Sequence, residues 1–567
     1  MTDSDTLVGV VLGSEDATPL ELWVGVRAGA LLQLDELVAT ELVTPEGEVV
    51  TFYGLVDAVR KRFEGAQFDG DAFRAADGVL PVEVSYAAHV QITRIEPEVF
   101  VPPQPGAPVK VVRGAAYRRA LGFEAMPRKL PLGSTQAGEP VFANLEFLDG
   151  ERGAHASISG ISGVATKTSY ATFLLYGLFH SGVLGADAAN TKALIFNVKG
   201  EDLLWLDHPN RRLDDVDRAH YDRLGLPATP FRDVGFYAPA RAGGHTLSAD
   251  TGSRRRGVSP YVWTLGDFAR QRLLRFVFAE ANDARAQLGF VIERVERWLA
   301  GQVEGDDPGL VVEGERILTF SELVDRLDGS LLDQITHGGR IAPGTLDAFR
   351  RRLHAAARRL GHLIRGDTDD AARRGIAWGQ HQVTVVDLHT LHSTAQRFVV
   401  GVLLQRMMAE KERRGTARPL FFVVLDELNK YAPRSGWSPL SEVLLDIAER
   451  GRSLGVSLLG AQQTASEVER RVVSNASIRI VGRLDAAEAE RGEYGFLPRV
   501  SRLRASLLRP GSMLVAQPEI PAPLLVRFPF PAWATRASEV DDGSDPTAEG
   551  DQRDEDLFAD LFPEVDG

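Results

Sequence analysis

The sequence predicts a multidomain chain: a small all-β domain, then an α/β core on a parallel sheet that a helical insertion interrupts. Three observations carry this reading. The first 110 residues hold five short β-branched runs at regular spacing. Residues 155–198 then read strand, helix, strand, the signature of parallel pairing. Four further buried-strand runs follow residue 376, behind a strandless stretch rich in Arg, Leu and Ala.

The runs "TLVGVVLG", "LELWVGV", "LLQLDELVATEL", "EVVTFYGLV" and "VEVSYAAHVQITRI" fill residues 1–110, bounded by Gly, Pro, Asp or Glu. Their spacing suits a small barrel or a sandwich. "PPQPGAP" at 102–108 reads as a stiff linker. Residues 111–250 form the first part of the core. In it "AHASISG" is a strand entering a loop, "KTSYATFLLYGLFHSG" a helix with an apolar stripe, and "KALIFNV" a buried strand running into "KGEDLLWLD". Residues 251–376 carry helical periodicity and form the insertion. Residues 377–537 resume the sheet with "HQVTVVDL", "LFFVVLDE", "VSLLGAQQ" and "IRIVGRL". An acidic, disordered tail is expected over 538–567.

Composition narrows the class. A chain of 567 residues exceeds what one core fills, so several domains are expected. Cys is absent, which excludes disulfides and thiolate metal sites and suits a reducing cytoplasm. No run of about 18 apolar residues occurs, so no membrane helix is expected. "MTDSDTLVGVV" lacks the basic start of a signal peptide, so the expected location is cytoplasmic. The net charge of -14 is uneven: from Glu539 to Asp566 about twelve acids face Arg553 alone. The rest is near neutral and can still carry a basic channel for DNA.

The residues 160–169, "GISGVATKTS", nearly spell a phosphate-binding loop. The usual spacing is G-x-x-x-x-G-K-[ST]. Here the stretch from Gly160 to Lys167 is one residue longer, and Thr166 stands where glycine normally precedes the lysine. The context fits. "HASIS" precedes the loop, and a helix starting near Lys167 aims its N-terminal amides at a phosphate. Far downstream "FFVVLDE" ends an apolar strand in two acids. In this reading Gly160, Gly163, Thr166, Lys167, Thr168 and Ser169 line the nucleotide. Lys167 neutralises the β- and γ-phosphates, and Thr168 ligates Mg²⁺ with Asp426 holding its water shell. Glu427 polarises the attacking water. The plainer alternative is an ordinary turn at Gly160 and Gly163 with Asp426 and Glu427 as helix-capping acids.

With these motifs the sequence resembles the HerA branch of the FtsK–HerA ring ATPases over most of its length. "LPLGSTQAGEPVFANLE" with "HASISG" looks like the approach to that family's Walker A loop. "VVLDELNKYAP" looks like its Walker B strand. "IAERGRSLGVSLLGAQQTASEVERRVVSNASIRIVGRL" looks like its arginine-finger and sensor region. The resemblance implies an N-terminal HAS-like β-barrel on a RecA-like α/β P-loop core with a helical insertion. It implies a homohexamer that uses ATP and Mg²⁺ to translocate double-stranded DNA through a ring pore. Gln463 would read the γ-phosphate, and Arg452, or its neighbour Arg450, would act as an arginine finger in the adjacent subunit. A partner nuclease, NurA-like or a defence effector, would dock on the barrel side, in end processing or antiphage defence. The alternatives for these arginines and for Asn475 are a helix C-terminus answering its dipole and a helix cap. The family's Arg before the strand His is replaced by Ala154, with Arg152 two residues earlier; Lys199 and Glu201 could face the pore or a neighbour, or be solvated. "TLHST" and "RSGWSPLSE" are the pore-loop candidates. A second functional class stays open: a nucleotide-binding ring scaffold with weak ATPase that assembles or regulates an effector.

Overall fold

The computed structural model describes residues 6–65, 68–161, 167–243, 246–278, 286–336, 341–368 and 375–540. Six strands close an N-terminal antiparallel barrel: β1 (Thr6–Val11), β2 (Glu21–Val26), β3 (Leu37–Val43), β4 (Val49–Glu64), β5 (Glu83–Glu96) and β6 (Pro108–Val111). They run in the order β1-β2-β5-β4-β3-β6. Alternation along each strand sends Val8, Val24, Val50, Phe52 and Val90 inward, each nearly fully buried. Each such side chain contributes about 1.5–3 kcal/mol.

The sequence reading expects five strands and a linker over 102–108. Instead Pro108 opens the sixth strand, which pairs with both β1 and β3 and closes the barrel. Proline at the first position of a strand removes no ladder bond that the strand needs, so a Pro-rich run conceals it.

The core is a 12-stranded sheet. Its strands are β7 (Lys129–Ser134), β8 (Pro140–Asn144), β9 (Ala156–Ser159), β10 (Lys192–Asn197), β11 (Val234–Pro239) and β12 (Val258–Tyr261). After a separate hairpin of β13 (Leu310–Val312) and β14 (Glu315–Ile317) come β15 (Val383–Asp387), β16 (Phe421–Leu425), β17 (Val456–Gln462), β18 (Ile478–Val481), β19 (Ser512–Gln517) and β20 (Ile520–Arg527). The order is β12-β11-β15-β10-β16-β17-β9-β18-β19-β20-β7-β8, parallel from β12 through β18 and antiparallel beyond. Every residue of β16 is buried, as a strand covered by helices on both faces requires. The parallel strands therefore send their carboxyl ends to one edge, where open α/β sheets place ligands.

Two boundaries differ from the sequence reading. The stretch 251–376 is mostly helical, but Val258–Tyr261 joins the central sheet beside β11, and β13 and β14 form a hairpin. "VSPY" is too short and Pro-marked to read as a strand alone. The body also extends past 538. Glu539 is 2 % exposed, and its carboxylate accepts from Arg212 (3.1 Å), Thr535 N (3.0 Å) and Arg536 (3.0 Å). Residues 541–567, the rest of the expected tail, lie outside the described residues.

Barrel and core are tied by Arg504, whose two Nη atoms donate to the Asp35 carboxylate at 2.9 and 2.7 Å. No helix among the described residues is long and apolar enough to cross a membrane.

Candidate functional site

β9, buried at all four residues, carries the chain to the carboxyl edge of the sheet. There Gly160 N donates to the Gln462 carbonyl (3.1 Å) and Ile161 N to the Arg483 carbonyl (2.7 Å). A Cβ on Gly160 would meet nothing closer than 3.5 Å, so space does not demand glycine there. Gly163 and Thr166, both assigned to the nucleotide from sequence, lie outside the described residues. The helix Lys167–His180 begins directly after them, which puts its N-terminal turn at the same edge. Ser169 is half-buried on its first turn.

β16 delivers Asp426 and Glu427 to this helix. The Thr168 hydroxyl donates to Asp426 Oδ2 at 2.7 Å, across 258 residues of sequence. Asp426 Oδ1 accepts from the Glu427 amide at 2.7 Å. Glu427 itself sits in the left-handed region at φ 56°, ψ 43°. For a non-glycine residue that conformation costs on the order of 1–3 kcal/mol, and such residues cluster at functional sites.

Three ammonium groups surround these two acids. Lys167 is 2 % exposed; burial pushes its pKa down, the nearby Asp426 pulls it back up, and Lys199 adds to the lowering. Lys199 Nζ lies 2.8 Å from Glu427 Oε1 and 3.7 Å from Asp426 Oδ2. Lys430 contacts the other Glu427 oxygen. Burial alone would raise the Glu427 pKa, but its bonds to Lys199 and Lys430 outweigh that and hold it below the ordinary carboxylate range. Three cations against two carboxylates leave the cluster suited to an anion. A hydroxyl and a carboxylate oxygen in contact are hard donors fit for Mg²⁺, which takes one or two protein oxygens and completes its shell with phosphate and water. Among the described residues no group of three or more His, Cys, Asp or Glu is placed to hold a metal.

Gln463 stands immediately past the end of β17 and is exposed at the same edge. Its neighbour Gln462 is fully buried and ties β17 to β9, donating to Ser157 Oγ (2.8 Å) and Ser159 Oγ (2.9 Å).

Arg450 and Arg452 are elsewhere. They lie on the last turns of the helix Pro439–Leu454, which ends where β17 begins. That is the amino edge, one strand length away: seven residues, or about 20 Å. Arg452 donates to the carbonyls of Gly150 (3.2 Å) and Glu151 (2.8 Å), while Arg450 pairs with Glu412 and, at 2.9 Å, Asp446. One chain thus does not bring either arginine to its own Lys167. Asn475 Nδ2 donates to the Ala448 carbonyl (3.2 Å) of this helix, and Arg152 pairs with Glu519 (2.8 Å). Of the pore-loop candidates, His392 caps the helix Ser393–Arg414, and Trp437 is 61 % exposed.

The helix end that carries the arginines is fixed by backbone contact. Gly455 closes it at φ 68°, and a Cβ there would fall 1.7 Å from the Ala417 carbonyl oxygen. Gly455→Ala is expected to destabilise the fold by about 2 kcal/mol or more, from left-handed strain plus a backbone clash. A thermal or denaturant melt checks this; an unchanged midpoint would show that the segment 415–418 yields freely.

The sequence reading left Lys199 between pore, neighbour and solvent, and did not single out Lys430. The signal for Lys199 was its place two residues beyond a buried strand, but its meaning needs the strand order: β10 lies directly beside β16. Glu201, the other residue left open, accepts from the amides of Gly252 and Ser253 within the chain.

No family model matches this chain, and no curated protein matches it. Solved structures do show likeness. VirB4 of Thermoanaerobacter pseudethanolicus is 13 % identical, with a TM-score of 0.43 over 71 % of this chain and 96 % of that one. The bacterial conjugative coupling protein TrwBdeltaN70, in a trigonal form with sulphate, is 12 % identical, with a TM-score of 0.47 over 74 % and 94 %. The plasmid coupling protein TrwB in complex with ADP and Mg²⁺ is 13 % identical, with a TM-score of 0.45 over 75 % and 95 %.

Proposed function

We propose that this protein is a Mg²⁺-dependent ATPase that works as a homohexameric ring and translocates double-stranded DNA. The observation that carries the reading is the Thr168–Asp426 bond, which joins the first turn of the loop helix to the acidic strand end beside Lys167 and Glu427. Lys167 and the helix amides would bind the β- and γ-phosphates. Mg²⁺, held through Thr168 and Asp426, would supply charge neutralisation at the phosphates. Glu427 would orient the attacking water and accept its proton. Gln463, at the strand end, would sense the γ-phosphate.

The arginine position argues for assembly. Because Arg450 and Arg452 stand at the opposite sheet edge from their own Lys167, they can serve a phosphate only in a neighbouring subunit. Such an arginine makes hydrolysis depend on the ring. DNA would be gripped through its phosphates, without sequence preference and with strong salt dependence. A nuclease of the NurA kind, or a defence effector, docking on the barrel side would cut what the ring delivers.

A second reading has its own support. Both oxygens of Glu427 are engaged by lysines, which leaves it a poor base and favours a nucleotide-binding scaffold with slow turnover. Steady-state hydrolysis of Mg-ATP with and without linear double-stranded DNA separates the two. The translocase reading expects DNA to stimulate turnover severalfold, with the stimulation fading as salt rises. A low rate indifferent to DNA supports the scaffold.

A further inference from the structure

Glu201 occupies a site built for an anion. Its carboxylate accepts from Gly252 N at 2.5 Å and from Ser253 N at 2.8 Å, and also from the Ser253 hydroxyl. Two successive backbone N–H groups and a hydroxyl converging on one carboxylate form an anion nest. A Cβ on residue 252 would fall 2.8 Å from Glu201 Oε1, so a side chain there would push the Glu201 carboxylate away. The next residue, Arg254, is a buried anchor: it grips Asp207 at 2.6 and 2.8 Å and lies 4.1 Å over the Phe236 ring. Arg255 and Arg256 follow it, both exposed, and neither forms an ion pair with a described residue. Anion nest, fixed anchor and two exposed guanidinium forks lie within five residues. That set can take a phosphodiester in place of the carboxylate, because Arg presents paired donors to phosphate oxygens as it does to carboxylate oxygens.

The other end of the same turn reaches the candidate active site. Gly200, at φ 53°, separates Glu201 from Lys199. Asn197 Nδ2 closes the turn on the Gly200 carbonyl (2.8 Å) and also donates to buried Asp387 (2.9 Å). Lys199 holds Glu427, whose side chain is only 9 % exposed. A short, pinned turn thus carries one residue into each site.

We propose that residues 252–256 form a binding site for nucleic-acid backbone phosphate, that Glu201 fills it as an internal stand-in, and that a phosphate displacing Glu201 moves the turn 197–201 and frees Glu427 from Lys199. Lys199 is then a positioning residue that keeps hydrolysis low until DNA arrives. The Glu427 part of this inference rests on the ATPase reading above; the phosphate site does not.

Two measurements test it. The first is binding of fluorescently labelled linear double-stranded DNA to the full chain at fixed salt. Glu201→Gln is expected to tighten binding about tenfold, and the double substitution Arg255→Ala/Arg256→Ala to weaken it. The gain from Glu201→Gln should vanish in the double-arginine background. An equal gain in both backgrounds would reduce Glu201 to general charge repulsion and overturn the site. Inorganic phosphate at millimolar concentration is the second probe: competition by phosphate alone, with no preference for DNA, would overturn the nucleic-acid assignment.

The second measurement is ATP hydrolysis. Lys199→Met is expected to raise the DNA-free rate about tenfold and to remove most of the DNA stimulation, whereas Lys199→Arg, which can still pair with Glu427, should restore the low DNA-free rate. A Lys199→Met rate at or below wild type would show that Lys199 serves the nucleotide rather than restraining Glu427. If the wild type hydrolyses no ATP under any condition, the ATPase reading fails and the restraint of Glu427 fails with it, while the binding cycle still decides the phosphate site.

Discussion

Lys167→Ala is expected to cut nucleotide hydrolysis by at least about a hundredfold, the scale found when one preorganised donor to developing charge is removed. Lys167 is 2 % exposed at the start of the helix Lys167–His180, and Asp426 opposes the lowering of its pKa by burial. Alanine removes the ammonium proposed to meet the phosphates and leaves Asp426 with less compensation. Lys199 lies within reach of Asp426, at 3.7 Å, but it is already committed to Glu427 and sits on a different turn, so it does not replace Lys167. Steady-state hydrolysis by the variant, with a melt to confirm folding, checks this. Retention of half the wild-type rate would remove Lys167 from the site.

Glu427→Gln should bind ATP as the wild type does and turn over more slowly by about 10²–10⁴-fold, the usual contribution of a positioned general base. Glutamine keeps the shape and cannot take the proton. If Glu427 merely shaped the left-handed turn at φ 56°, the amide would turn over normally. Nucleotide binding measured beside single-turnover hydrolysis separates the two. The pH dependence has a definite sign. The folded pKa of Glu427 is lowered, chiefly by Lys199 and Lys430 acting against burial. The stabilisation from that pairing is therefore fully present above the unfolded carboxyl value of about 4.3 and is lost as pH falls through the lower folded value.

How much of this was legible in the sequence depended on how local the signal was. "FFVVLDE" shows a buried parallel strand ending in acids because β-branched and aromatic residues fill both faces of such a strand. The helix after Lys167 shows through its length and apolar content. The barrel was legible in five strands, but "PVKV" was not, because its partners β1 and β3 lie about 100 and 70 residues upstream. "VSPY" failed for the same reason: only its partner β11 makes it a strand. Lys199 and Glu201 carried a signal without a meaning, since nothing local places β10 beside β16 or brings the loop 252–253 to Glu201. Likewise the separation of Arg452 from Lys167 follows from the direction of β17, which no spacing along the chain reveals.

The most direct test of the central claim, that hydrolysis needs a loop from one chain and an arginine from the next, is complementation between two inactive variants. Arg452→Ala and Lys167→Ala are each expected to be nearly inactive alone. Co-expressed, with mixed hexamers confirmed by mass, they should recover part of the wild-type ATPase rate, because some interfaces then pair the intact loop of the arginine variant with the intact arginine of the lysine variant. Confirmed mixed rings with no recovery at any ratio would contradict a shared site.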